Sequence, residues 1–337
     1  MEQKLGVMGL GMFGFVLTRH LAIKFPHDTI LAYDQSRAVV DSLKQTGHHP
    51  VHFQDHDLPQ NVHVISQLKD FLPQCHIVIL ALPVQVIRDA IHGARDLLKA
   101  GSIVINVAKG LEIGSGKSIS EILRDELLPG YVYSALSGGM IAGEILRGDP
   151  CSGEIACVND SICHRLQELL STTRFRLYRT DDVRGVEIAG ALKNPLSIAA
   201  GIAHGLGFGA STVSALVSRG ALEIRRLALS SGAQKKTFDL GGQAALGDIM
   251  TSCFGNTRNR HFGELIAQEE SVEKALAIMQ RSSKLVEGYY TARAIHEMAN
   301  KHNTEMPIQE QVFQILYRGR SPEAALTKLM ARELKSM

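Results

Sequence analysis

Lys193 stands in a stretch with the composition of a buried helix, GVEIAGALKN over residues 185–194, which runs on through Ala199, Ala200 and Gly201. Moving an ammonium out of water is costly and depresses its pKa, so a chain keeps such a lysine where it pairs with an acid or moves protons. An amphipathic helix whose lysine snorkels to water is the alternative. A second lysine, Lys109, lies in NVAKGLE over residues 106–112, just beyond the end of an apolar strand candidate. Open α/β sheets hold their ligands outside that end of the strands. Later in the chain, Gly247-Asp248 and Thr257-Arg258-Asn259-Arg260 add an acid, two guanidiniums and an amide. Guanidinium forks bind phosphate or carboxylate. For Arg260 a solvated surface position is an equally good reading.

The N-terminus carries the other half of the chemistry. Gly9-Leu10-Gly11-Met12-Phe13-Gly14 follows a strand pattern and opens a helix pattern, and Asp34 ends the next strand candidate. That acid falls about 20 residues past the last glycine, as the dinucleotide-binding fingerprint requires. Gly9 permits the tight turn, Gly11 lets backbone approach a pyrophosphate, and Gly14 lets the helix pack closely on the sheet, with the helix N-terminus attracting the phosphates. Asp34 accepts from the ribose hydroxyls and repels a 2′-phosphate, which favours NAD(H); NADP(H) stays possible because Arg37 offsets part of the repulsion. A third ligand-side turn is Ser137-Gly138-Gly139-Met140, small enough for close approach. Hydride addition to a carbonyl develops alkoxide charge, which a nearby ammonium stabilises and then protonates.

The remaining composition is that of a soluble globular protein. The chain has 337 residues, 45% hydrophobic and 21% charged, with a net charge of +2. Nothing there points to nucleic acid or membrane insertion, so an anionic substrate must be met by local cations. No apolar run reaches a membrane span and no signal peptide is recognisable, from which a cytoplasmic location is expected. The five cysteines form no CxxC pair and are expected to be free thiols. His48, His49, His52, His56 and His63 crowd one segment with Asp55 and Asp57. The expected reading is a polar surface connection, and no metal site is expected.

The elements that must position these residues change character along the chain. Strand candidates cover residues 4–8, 29–33, 62–65, 76–82, 102–107, 132–136, 154–158 and 175–178, alternating with helical patterns. Continuous apolar runs such as HIVILAL and SIVINV fit strands covered on both faces of a parallel sheet. The expected fold is thus an α/β doubly wound, Rossmann-type sheet over residues 1–181. Strand signals then stop. Helical periodicity over 182–208, 211–232, 260–268, 271–282, 287–302 and 307–317, with a last short helix near Ser321-Pro322, predicts an all-α domain over residues 182–337 that carries substrate-binding and catalytic groups.

GLGMFG, NVAKGLE, the turn after LSG, GVEIAGALKN, GIAHGLGFGAS, SRGALEI, LGDIMTSC, TRNRHFG, LVEGYYT and MPIQEQVFQILYRG occur in this order over nearly the whole chain. Together they resemble the NAD(P)-dependent glycerol-3-phosphate dehydrogenases, most of all the bacterial biosynthetic type. The resemblance implies reversible NAD(P)H-dependent reduction of dihydroxyacetone phosphate to sn-glycerol 3-phosphate, supplying glycerophospholipid synthesis. It implies Lys193 as proton donor and acceptor and Lys109 as a catalytic lysine touching substrate and cofactor. Gly139, Asp248, Thr257, Arg258 and Asn259 are then substrate-binding. Gly9, Gly11, Met12, Phe13, Gly14, Asp34, Lys109, Ala142, Arg258 and Glu287 are then cofactor-binding. A small phosphate substrate is the implied partner, and the long apolar helices of the second half favour a homodimer.

Three features depart from the family pattern. Met140 replaces a hydroxyl residue in the Ser-Gly-Pro-Ser/Thr-Phe-Ala turn; losing a donor to a charged ligand costs about 1.5–3 kcal/mol. Met12 and Phe13 match the usual loop pair only in part, and Asp34 is unusual for members that use NADPH. β-Hydroxyacid dehydrogenases also carry GLGxxG and a Ser-Gly-Gly turn, but their lysine is followed four residues later by asparagine, where this chain has Ser197. A catalytically weak NAD(H)-binding paralog is the other alternative.

Overall fold

A computed structural model describes residues 4–269, 271–282 and 285–333. By internal contacts the chain divides into two units. One comprises the residues up to Ala108 together with Lys117–Val183; the other comprises Lys109–Gly116 and the chain from Arg184 onward. The short segment carrying Lys109 therefore belongs with the helical unit, unlike the contiguous 1–181 and 182–337 division expected from sequence. The termini of that division lie partly outside the described residues.

The first unit is built on strands β1 (Leu5–Met8), β2 (Ile30–Tyr33), β3 (Val62–Ile65), β4 (Ile77–Leu80), β5 (Ile103–Asn106), β6 (Val132–Ser137), β7 (Cys151–Ala156) and β8 (Phe175–Thr180). They form one sheet in the order β3-β2-β1-β4-β5-β6-β7-β8. β1, β4 and β5 are buried along their whole length, as apolar runs covered by helices on both faces must be. Pairing is parallel throughout except between β6 and β7, which run antiparallel. The β6–β7 connection explains the reversal. Its only helix is the six-residue Ala142–Arg147, about 9 Å long, too short to carry the chain back along a strand of about 20 Å. β7 also starts and ends earlier than the expected 154–158. Asn159 stops it by capping the helix Asp160–Leu170, its side chain accepting from the Ile162 N–H at 3.1 Å.

In the second unit the helix Val183–Gly205 is buried at every residue from Gly185 to Ala203. An apolar-all-round helix of this kind needs neighbours on every side. Leu192 and Leu196 pack with Ile224 and Leu227, while Ile198 and Ile202 pack with Phe262 and Ile266. The helix Arg258–Glu269 lies backbone to backbone against it: a Cβ on Gly201 would sit 2.0 Å from the Arg260 carbonyl oxygen, and one on Gly263 2.1 Å from that of Ile198. Among the described residues no helix is long and apolar enough to cross a membrane.

Candidate functional site

Lys193 projects from the middle of that central helix, its side chain only 9% exposed. Its ammonium donates to Asp248 Oδ1 at 2.6 Å and to Ser252 Oγ. Asp248 is itself buried, and its second oxygen accepts from Lys109 Nζ at 2.7 Å. One carboxylate thus bridges two ammoniums. The expected snorkelling alternative for Lys193 does not hold, because the charge is turned inward onto an acid.

The local chain explains the geometry. A single π-type turn, Gln243–Gly247, runs into the helix Asp248–Phe254. Such turns redirect side chains within a helix and recur at functional positions. Asp248 lies in the first turn of its helix, where the dipole favours a negative charge. Ser252, four residues on, falls on the same face. Ser252 was not singled out in the sequence; its signal is that one-turn spacing from the acid within LGDIMTSC.

A line of amides braces the cluster. The Asn194 side chain donates to the Lys109 carbonyl oxygen at 3.4 Å and accepts from the Asn259 amide at 3.0 Å, and Asn259 Oδ1 accepts from the Gly288 N–H at 3.0 Å. Asn194, next to Lys193 in ALKN, is therefore a positioning residue, and Asn259 spends part of its hydrogen-bonding capacity within the protein. Thr257 Oγ1 donates to the Ser252 carbonyl oxygen at 2.8 Å. Arg260 donates to the Phe254 and Gly255 carbonyl oxygens and pairs with Glu264, which makes it a structural brace. Arg258 is exposed at the start of its helix and acts electrostatically on Glu287.

The charges of the cluster act on each other. Burial pulls Lys109 down to about 8, with Lys193 pulling the same way and Asp248 and Glu287 opposing. Burial pushes Glu287 up, against the pull of Arg258, Lys193 and Lys109.

In the first unit the glycine loop sits at the carboxyl ends of β1 and β4, where the strand order switches direction. Gly9 has φ +98°, and a Cβ on Gly14 would lie 1.9 Å from the Gly9 carbonyl oxygen, so both positions require glycine. A Cβ on Gly11 would meet nothing within 4 Å, so its backbone is open to an incoming group. Gly11 caps the helix Met12–Lys24, which has no side-chain cap bond and no acid in its first turn. Asp34 holds the loop: Oδ2 accepts from the Leu10 N–H at 2.7 Å and Oδ1 from the Ser36 N–H at 2.8 Å. Met12 and Phe13 are partly exposed on the first helical turn. An open glycine, uncapped helix N–H groups and a carboxylate beside them fit a dinucleotide.

Met140 gives a different picture from the one expected. Its side chain belongs to the apolar core of the sheet, and a Cβ on Gly153 would fall 2.9 Å from its sulfur. It is packed away as a core residue, with Gly153 making the room. Gly139 and Ala142, at the turn and at the start of the short helix after it, are partly exposed. His49 also departs from expectation, being 3% exposed. Among the described residues no group of three or more His, Cys, Asp or Glu is arranged to hold a metal ion.

Residues 4–163 match the family model described as the NAD-dependent glycerol-3-phosphate dehydrogenase N-terminus, and residues 182–327 the one described as its C-terminus. A protein named glycerol-3-phosphate dehydrogenase (NAD(P)+) from Anaeromyxobacter dehalogenans is 35% identical over 98% of this chain and 98% of its own. One of the same name from Citrifermentans bemidjiense is 34% identical over 100% of this chain and 99% of its own. The crystal structure of glycerol-3-phosphate dehydrogenase from Coxiella burnetii superposes with a TM-score of 0.91 at 29% identity, covering 98% of this chain and 99% of that one. A ketopantoate reductase from Ralstonia eutropha, at 16% identity and a TM-score of 0.61 over 96% of this chain and 99% of its own, shares the fold alone.

Proposed function

The chain belongs to the NAD-dependent glycerol-3-phosphate dehydrogenase family, and from that membership we propose that it catalyses the reversible reduction of dihydroxyacetone phosphate to sn-glycerol 3-phosphate with NADH as the favoured cofactor. The observation that carries the reading is the bridged lysine pair. Lys193 has three N–H bonds; one points to Asp248 and one to Ser252, which leaves the third for a substrate oxygen.

The dinucleotide supplies or takes up the hydride. Gly9, Gly11, Gly14 and the first turn with Met12 and Phe13 would hold its pyrophosphate, and Asp34 its ribose; Ala142, Lys109, Arg258 and Glu287 complete the set implied by the family. Lys193 stabilises the oxygen as negative charge develops on it and then donates a proton from Nζ. Asp248 keeps two ammoniums together that would otherwise repel. Lys109, Thr257, Asn259 and Gly139 orient the substrate, and the Arg258 guanidinium is suited to its phosphate. Asp34 is the observation behind the NADH preference, since its carboxylate would stand against a 2′-phosphate. Glycerophospholipid supply in the cytoplasm, by a homodimer, is the setting this reading implies.

The test is a spectrophotometric assay of purified protein with dihydroxyacetone phosphate. NADH oxidation is expected, faster than NADPH oxidation; oxidation of neither at millimolar substrate overturns the proposal. A pH dependence is expected as well. Lys109 titrates near 8, and its charged form is the one that pairs with Asp248 and attracts an anion. The kcat/KM for reduction should therefore hold below pH 8 and fall as the pH rises through it. In Lys109→Arg, whose side chain stays charged, that fall should move upward by more than one pH unit, whatever the absolute rate. An unmoved limb would assign the titration to another group.

A further inference from the structure

His49 is the one histidine of its crowded segment that is fully buried, and it touches the dinucleotide loop. Its Nδ1 accepts two backbone N–H bonds, from Val51 at 3.1 Å and from His52 at 3.0 Å. An acceptor on Nδ1 forces the proton of the neutral ring onto Nε2. The hydrogen-bonding pull of the Leu10 backbone acts on the same ring. Leu10 lies between Gly9 and Gly11, and its N–H is the one bound by Asp34 at 2.7 Å. The ring also packs edge-on against Phe15, one residue past Gly14, at 5.8 Å, and stacks on His52 at 4.8 Å. It therefore touches the loop, the first turn of the following helix and the turn after Gly47 together.

We infer that neutral His49 is a positioning residue of the dinucleotide loop, and that protonating it weakens dinucleotide binding; this rests on the NAD(H)-binding reading above. A proton on Nδ1 would face two N–H donors with no acceptor between them. Either the 49–52 turn opens or the ring leaves its place under Leu10, and in both cases the loop that must lie close to a pyrophosphate loses its support. The titratable groups that act on the ring are His52, which disfavours its charge, and Asp34, which favours it. Burial is the largest influence and holds the ring's pKa below the ordinary histidine range. The neutral form thus prevails near neutrality and gives way on acidification.

The experiment is NADH binding by fluorescence titration between pH 5 and 8, without substrate, for the unaltered protein, His49→Asn and His52→Gln. Asparagine at this position retains an oxygen that accepts backbone N–H bonds two and three residues on, and it does not titrate. The Kd of the unaltered protein and of His52→Gln should rise steeply at the acid end, approaching tenfold per pH unit once His49 is charged. That of His49→Asn should rise by less than about threefold over the same range. Nitrogen-15 shifts of the His49 ring give a readout independent of binding, and should report the Nε2-protonated tautomer at pH 7.5. Equal acid weakening in His49→Asn and the unaltered protein, or an Nδ1-protonated ring at pH 7.5, overturns the inference alone. Failure to bind NADH even at pH 8 overturns it together with the functional reading.

Discussion

Lys193→Ala is expected to lower kcat for dihydroxyacetone phosphate reduction by roughly 10²–10⁴-fold, the range that a positioned proton donor supplies, while NADH still binds. Two features of the structure argue for so clean a separation. Lys193 sits in the helical unit, and the glycine loop and Asp34 sit in the other. Removing the Lys193 ammonium also leaves Asp248 paired with Lys109, so the buried carboxylate is not stranded and the fold should survive. Single-turnover measurement with bound NADH checks this directly. A variant with ordinary rates would remove Lys193 from the chemistry and return it to the role of a buried ion-pair partner.

Asp248→Asn should have the second large effect, and mainly on stability. The two Asp248 oxygens each receive one ammonium, from Lys193 at 2.6 Å and Lys109 at 2.7 Å. An amide in that place removes the carboxylate that both lysines share and turns an N–H donor toward one of them. Breaking a buried pair in this way costs about 3–5 kcal/mol, because the charge left behind is uncompensated. Urea titration followed by circular dichroism measures it. A second substitution, Lys109→Met, should restore part of the loss by removing one of the two facing ammoniums. A cost below about 1 kcal/mol, as for exposed pairs, would show that water reaches the cluster and screens it.

The contrast between these variants also separates the two lysines. Both touch one carboxylate, but Lys193 is the more enclosed, with side-chain exposure of 9% against 18% for Lys109. Lys109 is drawn down to about 8, so the pH profile follows Lys109 while the Lys193→Ala rate follows its partner in the same cluster.

Much of this was legible in the residue order. The eight strands follow apolar runs bounded by turns, and most helices of the second half follow their periodicity within a few residues, but the seven-residue helix Asp248–Phe254 lies where no helix was expected. The glycine spacing with Asp34 located the loop, since φ +98° at Gly9 and the 1.9 Å approach at Gly14 are demands that only glycine meets. The buried lysine was visible as a charge among small apolar residues. Less legible were features made by side chains far apart in sequence. Nothing local in NVAKGLE says that residues 109–116 join the helical unit. Ser252 and Asn194 gain their roles from the groups they face, and Met140 looked like a lost hydroxyl until its sulfur was seen packed over Gly153. The β6–β7 reversal depended on the length of one short helix, which the local pattern left open.

Residue types and spacing by themselves determined the fold class, the dinucleotide loop and the presence of an inward lysine, because backbone sterics, apolar periodicity and the cost of burying charge act locally. Only the tertiary structure decided that one carboxylate, Asp248, joins Lys193 to Lys109 across 55 and 139 residues of chain. Coulomb attraction and hydrogen bonding act over a few ångströms in space, and the sequence holds no record of which distant residues folding will bring that close.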